Sequence, residues 1–177
     1  LPALPVIARG LGSDEGAIQF SLMAFFAGLM LGQLFYGPLA DRYGRKPLLY
    51  FGLTVFVAAS LGCSFAANAR EFTMLRFVQG LGGSVGMVMA FAIVRDLYTG
   101  SKASHLLSLV VMVLGVTPIV APLFGSAIIA IASWQVIFFV QGALAAILMV
   151  FVSRHLPETR SVELRQNAHP ASTLRNY

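Results

Sequence analysis

Charged residues are scarce in this sequence. Asp, Glu, Lys and Arg together make up 11% of the 177 residues, whereas soluble domains usually carry about 25%. Hydrophobic residues make up 58%, and the mean hydropathy is +0.81. Because a soluble domain of this length could not remove so much apolar surface from water, the composition excludes a soluble globular protein.

Clusters that could carry covalent chemistry are also lacking. The single cysteine, Cys63, excludes an internal disulfide, and we expect it to pack within apolar sequence. The three histidines are scattered, and no Cys/His group has the spacing of a metal site. The sequence contains no nucleophile–base constellation and no phosphate-binding loop. We therefore expect no enzyme activity, no metal and no cofactor.

Four long stretches contain no charge: residues 16–40, 47–69, 77–94 and 103–153. A hydrocarbon core of about 30 Å needs roughly 20 apolar residues in a helix, so the first three stretches fit one helix each and the fourth fits two. The sequence thus predicts an all-α integral membrane protein with five transmembrane helices. The predicted spans cover residues 17–36, 47–67, 72–93, 106–131 and 134–152.

Basic residues indicate how these spans are oriented. The side of the membrane with more of them carries Arg42, Arg45, Lys46, Arg95, Lys102 and Arg154. The opposite side carries Arg9 and Arg70. Since cytoplasmic connections are enriched in Lys and Arg, we predict that the first side is cytoplasmic. The basic residues do not form one amphipathic face, so the net charge of +5 predicts contact with membrane lipid and no nucleic-acid partner.

The two ends of the chain differ from its middle. The first residues, "LPALPVIARG", are typical of the end of an apolar segment, and we expect the chain to be a fragment. Residues 157–177 are polar and cannot bury enough apolar surface to fold alone. We predict a partial N-terminal transmembrane bundle at residues 1–156 and the start of a cytoplasmic linker at residues 157–177.

The stretch "GPLADRYGRKP", between the first two predicted spans, gathers four charges. A short loop between antiparallel helices needs residues without Cβ at its tight points, which Gly37 and Gly44 supply. Asp41 places an anion near the start of the next helix, where negative charge is favoured. The basic residues are expected to face the cytoplasm and the lipid headgroups: Arg42, Arg45 and Lys46.

This stretch resembles the signature loop of the major facilitator superfamily, Gly-x-Leu-x-Asp-Arg-x-Gly-Arg-Lys, which joins the second and third of twelve helices. The matching positions include Gly37, Asp41, Arg42, Gly44, Arg45 and Lys46. The resemblance implies a conformational latch, which pairs with the C-terminal six-helix half in one state and separates from it in the next. The alternative is that the loop only fixes the membrane topology.

A second similarity lies in the third predicted span. Its segment "MLRFVQGLGGSVG" resembles the pattern of Arg followed by Gln-Gly in the fourth helix of the superfamily. Arg76 is the only charge well inside a span, where an ionisable side chain is costly. The resemblance implies that Arg76 takes part in proton movement, and a side chain that snorkels to the outer interface is the alternative. The glycines from Gly80 to Gly86 predict close approach of neighbouring helices.

The fourth predicted span carries a motif similar to that of antiporters. Its segment "LGVTPIVAPLFGSAI" resembles Gly-x-x-x-Gly-Pro-x-x-Gly-Gly: Pro122 and Gly125 agree, whereas Thr117 and Ala121 replace glycines. Together with Pro118, these residues predict a bent helix that packs tightly against a neighbour and seals one side of a cavity. An ordinary kinked membrane helix is the alternative.

The sequences of several segments narrow the resemblance to one group within the superfamily. "GQLFYGPLADRYGRKP", "AIVRDLY", "APLFG" and "LPET" are similar to the Bcr/CflA group of bacterial drug-resistance transporters. The resemblance implies helices two to six of twelve, and export of small amphipathic drug-like compounds across the bacterial inner membrane. A proton gradient would drive alternating access, with no cofactor and with the C-terminal half as partner. A nutrient or metabolite carrier of the same superfamily and a non-transporting partial product are the alternatives.

Six side chains are candidates for a substrate cavity. Methionine and aromatic side chains adapt to varied ligands, and a buried amide needs a polar partner. The candidates are Met23, Phe26, Met30, Gln33, Gln79 and Met87. The spacing of the apolar ones is also typical of ordinary helix packing. The spans contain no carboxylate at midplane depth, so if the intact protein is proton-coupled we expect its titrating carboxylate in the missing first helix or in the second half.

Overall fold

The computed structural model describes residues 3–156. Within that range the chain forms six α-helices and no strand. The helices are α1 Leu4–Gly10, α2 Glu15–Tyr43, α3 Arg45–Phe65, α4 Ala69–Leu97, α5 Gly100–Ile131 and α6 Gln135–His155. The predicted linker at residues 157–177 lies outside the described residues.

Five of these helices, α2 to α6, are long and apolar enough to cross a membrane. The prediction of an all-α fold with five spans is therefore confirmed. Short connections make successive helices antiparallel, so the ends of α2, α4 and α6 lie beside the starts of α3 and α5. We call this side of the bundle the inner end, because it was predicted to be cytoplasmic, and we call the opposite side the outer end.

Helix α2 is longer than predicted. The span was expected to end at Tyr36, with a loop from Gly37, but the helix continues through Gly37 and Pro38. Pro38 removes one backbone donor, and the helix persists because Tyr36 and Ala40 on either side of it are buried in the core. Only Gly44 reverses the chain, with a φ of 101° that suits glycine. The predicted tight point at Gly37 is therefore wrong.

Helix α4 begins with a reciprocal cap. Asn68 Oδ1 accepts a hydrogen bond from the backbone N–H of Glu71 at 2.9 Å, and Glu71 Oε2 accepts one from the backbone N–H of Ala67 at 3.1 Å. Backbone donors at a helix start have no partner inside the helix, so both contacts stabilise the start of α4. The cap allows α4 to begin directly after the short connection from α3.

Helix α4 lies at the centre of the bundle and contacts α2 through backbone atoms. The contact is reciprocal: the Cβ position of Gly28 lies against the backbone oxygen of Phe77, and that of Gly80 lies against the backbone oxygen of Phe25. Any side chain at either glycine would separate the two helices. Small residues allow this close approach in membrane proteins.

On its other side α4 packs against α3 just as closely. A Cβ on Gly82 would lie 2.6 Å from the backbone nitrogen of Phe56 and 2.7 Å from the backbone oxygen of Gly52. At Gly86, by contrast, no atom lies within 4 Å of a built Cβ. The predicted close approach is therefore confirmed at Gly80 and Gly82 and is wrong at Gly86.

Two clusters of buried apolar residues fill the ends of the bundle. The outer cluster contains Ile7, Ala8, Leu11, Ile18, Cys63, Ala66, Phe72, Trp134 and Phe138. Its three aromatic rings contact one another edge to face, with centroids 5.3 to 6.1 Å apart. Cys63 is completely buried there, which confirms its predicted packing role. The inner cluster contains Tyr36, Ala40, Leu48, Leu49, Leu53, Val85, Met89, Ala145 and Val152.

Helix α5 lies at the edge of the bundle. None of its residues is buried within residues 3–156, although it is among the most apolar of the helices. Gly115 and Gly125 have no atom within 4 Å of a built Cβ. Together with α6, this helix borders a groove of about 790 Å³. Within the described residues α5 therefore faces a groove and not a neighbouring helix, and its tight packing stays a prediction.

Substitution of Gly82 tests the packing of α4. We expect Gly82→Ala to lower the free energy of unfolding by about 1–3 kcal/mol, because the added methyl group meets backbone atoms that cannot rotate away. The matched control is Gly86→Ala, where the methyl group enters open space and alanine stabilises the helix by at most about 1 kcal/mol. Thermal unfolding of the full-length protein in detergent measures both. Equal melting temperatures for the two variants would contradict the role assigned to Gly82.

Candidate functional site

Two polar clusters interrupt the apolar bundle. One is an ionic cluster at the inner end, where α2, α3 and α4 meet. The other is a hydrogen-bond network in the outer half of the bundle, centred on Arg76 of α4. Because polar groups are costly to bury without partners, both clusters are candidate functional sites.

Arg45 is the centre of the inner ionic cluster. Its Nη2 lies 2.8 Å from Asp41 Oδ1, and its Nε donates to Asp96 Oδ2 at 3.0 Å. The cluster joins the end of α2, the start of α3 and the end of α4. Arg45 is only 7% exposed, and its planar guanidinium can pair with two carboxylates at once. The prediction that Arg45 faces the cytoplasm and the headgroups is therefore wrong, since the two carboxylates compensate for its burial.

Of the two carboxylates in this cluster, Asp41 was a predicted site residue and Asp96 was not. Asp41 lies in the last turn of α2, and not in a loop as expected. Asp96, in the last turn of α4, was not among the predicted site residues. The sequence does carry a signal for it, because Asp96 is the only acidic residue between Glu71 and Glu158. An isolated carboxylate at a helix end, close to a basic connection, is expected to form a charge-assisted contact.

The other charges of the motif lie around this cluster. Lys46 Nζ donates to the backbone oxygen of Ser153 at 3.3 Å, which ties α3 to the last turn of α6. Arg42 is exposed, and its guanidinium carbon lies 5.4 Å from the ring centroid of Tyr43. The motif is therefore a helix end, a turn at one glycine and a helix start. Its action as a latch stays a prediction.

The second cluster is a chain of hydrogen bonds between three helices. Arg76 Nη1 donates to Gln79 Oε1, one turn nearer the inner end of α4. Gln79 Nε2 donates to Ser60 Oγ of α3 at 2.7 Å and to Gln141 Oε1 of α6 at 3.0 Å. Gln79 and Ser60 are completely buried. We call these four residues the Arg76 network.

Aromatic rings flank the guanidinium of Arg76. Its central carbon lies 4.3 Å from the ring centroid of Phe25 on α2 and 5.6 Å from that of Phe138 on α6. Both distances are within the range of cation–π attraction. The side chain therefore points into the bundle, and its hydrogen bond runs toward the inner end. This geometry contradicts the alternative in which Arg76 snorkels to the outer interface.

Arg76 also borders a cavity of about 360 Å³ in the outer half of the bundle. Its wall is largely apolar and includes the rings of Phe26, Phe72 and Phe138, with Gln141 as a further polar side chain. No acidic residue of the described chain lines this cavity. A cation in such surroundings attracts a ligand or side chain that accepts hydrogen bonds.

The residues of the antiporter-like motif lie next to this cavity. Its α5 side is formed by Pro118, Ala121, Pro122 and Gly125. Thr117 lines the neighbouring groove between α5 and α6, and its Oγ1 donates to the backbone oxygen of Val113 at 2.7 Å. Helix α5 is continuous through both prolines. The structure thus brings the motif close to Arg76, although α5 does not pack tightly there.

The predicted cavity residues do not form one site. Phe26 lines the cavity beside Arg76, whereas Gln79 belongs to the Arg76 network. The other four are exposed or partly exposed elsewhere on α2 and α4: Met23, Met30, Gln33 and Met87. The amide nitrogen of Gln33 lies 3.5 Å from the sulfur of Met87, in a separate contact between α2 and α4.

Two members of the Arg76 network, Ser60 and Gln141, were not predicted. Gln141 is the only polar side chain between Gln135 and Ser153, and an amide isolated in an apolar span is expected to find a buried partner. Gln141 could therefore have been predicted from the sequence. Ser60 could not, because a serine in a helix can satisfy its hydroxyl with a carbonyl of its own helix and needs no partner on another helix.

Comparison with known proteins identifies the family of this chain. The chain belongs to the major facilitator superfamily, whose profile (Major Facilitator Superfamily) matches residues 1–176. The resemblance inferred from the motifs is therefore confirmed. The superfamily consists of transporters, and the chain is part of a multi-pass membrane protein.

Individual relatives are similar over almost the whole chain. The uncharacterized MFS-type transporter YdgK of Bacillus subtilis is 37% identical over 167 residues, which is 93% of this chain and 42% of that protein. The bicyclomycin resistance protein homolog of Haemophilus influenzae is 36% identical, with coverages of 93% and 42%. The multidrug resistance protein MdtL of Klebsiella pneumoniae is 36% identical, with coverages of 96% and 42%. The chain thus spans about two fifths of the length of the curated relatives it matches.

Substitution of Arg45 tests the inner ionic cluster. We expect Arg45→Met to lower the free energy of unfolding by about 1–3 kcal/mol, because two carboxylates lose a buried, hydrogen-bonded cation. The matched control is Arg42→Met, where an exposed arginine is removed at a cost of about 1 kcal/mol or less. Thermal unfolding of the full-length protein in detergent compares the two. A larger loss for Arg42→Met would show that the exposed charge, and not the buried one, stabilises this end of the bundle.

Proposed function

We propose that the full-length protein exports amphipathic drug-like compounds across the bacterial inner membrane by proton antiport and alternating access. The observation that carries the proposal is the Arg76 network, which holds a cationic side chain beside an apolar cavity within a membrane-spanning helix. Ionisable side chains at such positions are typical of ion or substrate pathways. The names of two relatives, for bicyclomycin resistance and for multidrug resistance, support drugs as the substrate class.

The surfaces beside Arg76 support an amphipathic substrate. The cavity of about 360 Å³ and the groove of about 790 Å³ are both largely apolar, and Gln141 borders both. Apolar walls with a few polar groups fit a ligand that has an apolar body and a few hydrogen-bond acceptors. A sugar or a similar nutrient would need many more polar contacts, so the nutrient carrier is the weaker hypothesis.

Proton coupling requires a titrating group. Because no acidic residue of the described chain lines the cavity, we propose that the carboxylate belongs to the first helix or to the C-terminal half of the full-length protein. The positive charge of Arg76 would favour the ionised form of such a carboxylate and so assist proton release. The proton gradient would be the energy source, with no cofactor and no enzymatic reaction.

The inner ionic cluster is the proposed latch. Asp41, Arg45 and Asp96 gather at the end of the bundle that faces the cytoplasm in our proposal. Contacts from this end to the C-terminal half would hold one conformation. A difference of more than about 5 kcal/mol between the two conformations would leave the transporter almost entirely in one of them, so these contacts must be weak.

Drug susceptibility of a pump-deficient bacterium tests this function. We expect expression of the full-length gene to raise resistance to bicyclomycin, to a phenicol or to a cationic dye, and we expect a protonophore to abolish the gain. Arg76→Lys should remove most of the gain, because an ammonium cannot reproduce the planar contacts of the guanidinium. The matched control is Arg70→Lys on the same helix, where the side chain is exposed. No protection against any compound, at normal expression, would exclude drug export.

A substitution in α5 tests the proposed antiporter role of this helix. We expect Gly125→Leu to abolish drug export, because the side chain would fill the cavity between α5 and Arg76. Leu123→Phe is the control, since it also enlarges a side chain on α5 but lies outside the matching motif positions and is 68% exposed. Cellular accumulation of a fluorescent dye measures export by both variants. Unchanged export by Gly125→Leu would contradict the antiporter role of this helix.

A further inference from the structure

Arginine fixes the direction of every hydrogen bond in the Arg76 network. A guanidinium only donates, so the atom of Gln79 that faces Arg76 must be the amide oxygen. The amide nitrogen of Gln79 then faces the other way, where it donates to Ser60 Oγ and to Gln141 Oε1 at 2.7 and 3.0 Å. The polarity of the whole chain of bonds therefore follows from the charge of Arg76.

Both partners of the Gln79 amide nitrogen accept a hydrogen bond from it. The hydroxyl of Ser60 donates its hydrogen to the backbone oxygen of Phe56 at 2.7 Å, so toward Gln79 it offers only a lone pair. Gln141 presents its amide oxygen. The two hydrogens on Gln79 Nε2 thus have one acceptor each, from α3 and from α6, and the completely buried amide has no unpaired group.

We propose that Ser60 and Gln141 are positioning residues for Arg76. From α3 and α6 they hold the Gln79 amide in the one orientation that presents an oxygen to the guanidinium. If the amide rotated by half a turn, its N–H groups would face a cation that also carries only N–H groups. Without the oxygen of Gln79, Arg76 would lose its hydrogen bond within the bundle and would turn into the adjacent cavity. This inference deepens the proposed function and rests on it only for the transport measurement below.

The first measurement is the reactivity of Arg76 itself. The purified full-length protein in detergent is treated with phenylglyoxal, which modifies arginine, and the rate at each arginine is followed by mass spectrometry. Arg45 is the internal reference, because it is buried and is held by carboxylates at the opposite end of the bundle. General loosening of the fold would raise the rate at both arginines, whereas loss of positioning raises it at Arg76 alone.

Three variants separate the hydrogen bonds from simple packing. We expect Ser60→Ala and Gln141→Leu each to raise the modification rate of Arg76 about fivefold, as for one lost hydrogen bond, with no change at Arg45. Gln141→Glu keeps an oxygen that accepts from Gln79 Nε2, so its rate should stay within about twofold of the wild-type rate. This rescue by an acceptor is not expected if Gln141 only fills space.

Two control substitutions match these variants in chemistry. Ser84 is completely buried like Ser60, but its hydroxyl donates to the backbone oxygen of Leu81 in its own helix at 2.7 Å. Gln135 lies on α6 like Gln141 and has no hydrogen bond to the Arg76 network in the described structure. We expect wild-type rates at Arg76 for Ser84→Ala and Gln135→Leu.

The second measurement is export of chloramphenicol from cells. Because Ser60 and Gln141 act through Gln79, adding either substitution to Gln79→Leu should cause no further loss of export. Additive losses, an unchanged rate at Arg76 in both Ser60→Ala and Gln141→Leu, or an equal rise at Arg45 would each overturn the proposal. If the wild-type protein exports no compound, the proposed function fails, and the modification rates still decide the positioning role.

Discussion

Close backbone contact around α4 is the constraint on which the rest of the structure depends. Lipid chains are as apolar as leucine, so apolar side chains alone give membrane helices little reason to associate. Gly80 and Gly82 let α4 touch the backbones of α2 and α3, where dispersion contacts are dense. This approach also brings Gln79 within hydrogen-bond distance of Ser60. Without it, Gln79 would be a buried amide with too few partners.

The two arginine clusters solve the problem of a buried cation in different ways. Arg45 lies between two carboxylates, so its charge is more than compensated and the contact can be complete within the bundle. Arg76 has an amide oxygen and two aromatic rings, which stabilise the cation without cancelling its charge. The field of Arg76 therefore extends into the cavity beside it. The first arrangement is suited to holding helices together, and the second is suited to attracting a ligand or a carboxylate.

The limits of the sequence predictions follow from the same physics. The number of spans was predictable because hydrocarbon thickness sets helix length whatever the neighbours are. The end of α2 was not predictable, because a proline can be tolerated in a helix when burial of the flanking residues outweighs the lost backbone hydrogen bond. This is the case around Pro38, where Tyr36 and Ala40 are buried. Arg76 and Gln79 were found from a motif on one helix. The roles of Ser60, Asp96 and Gln141 depend on which helices are adjacent in the fold, and a single amino-acid sequence does not show which helices are adjacent.

Small residues illustrate this limit most clearly. Gly80 to Gly86 and the residues around Pro122 were given the same packing interpretation, but the structure separates them. A glycine permits close approach without supplying a partner. On α4 the partners are the backbones of α2 and α3, whereas Gly125 on α5 borders a cavity. Composition therefore identifies where helices can meet, and only the fold shows where they do.

Helix α4 also links the two clusters mechanically. Arg76 and Asp96 lie twenty positions apart on it, which corresponds to about 30 Å along a helix with a rise of 1.5 Å per residue. No proline interrupts α4, so a tilt of this helix at the Arg76 network also moves Asp96 in the inner ionic cluster. Asp41, by contrast, follows Pro38 in α2, where the missing backbone bond makes bending easier. Of the two carboxylates on Arg45, Asp96 is therefore fixed to the frame that carries Arg76, and the contact with Asp41 is the one that can change with the least disturbance of the bundle.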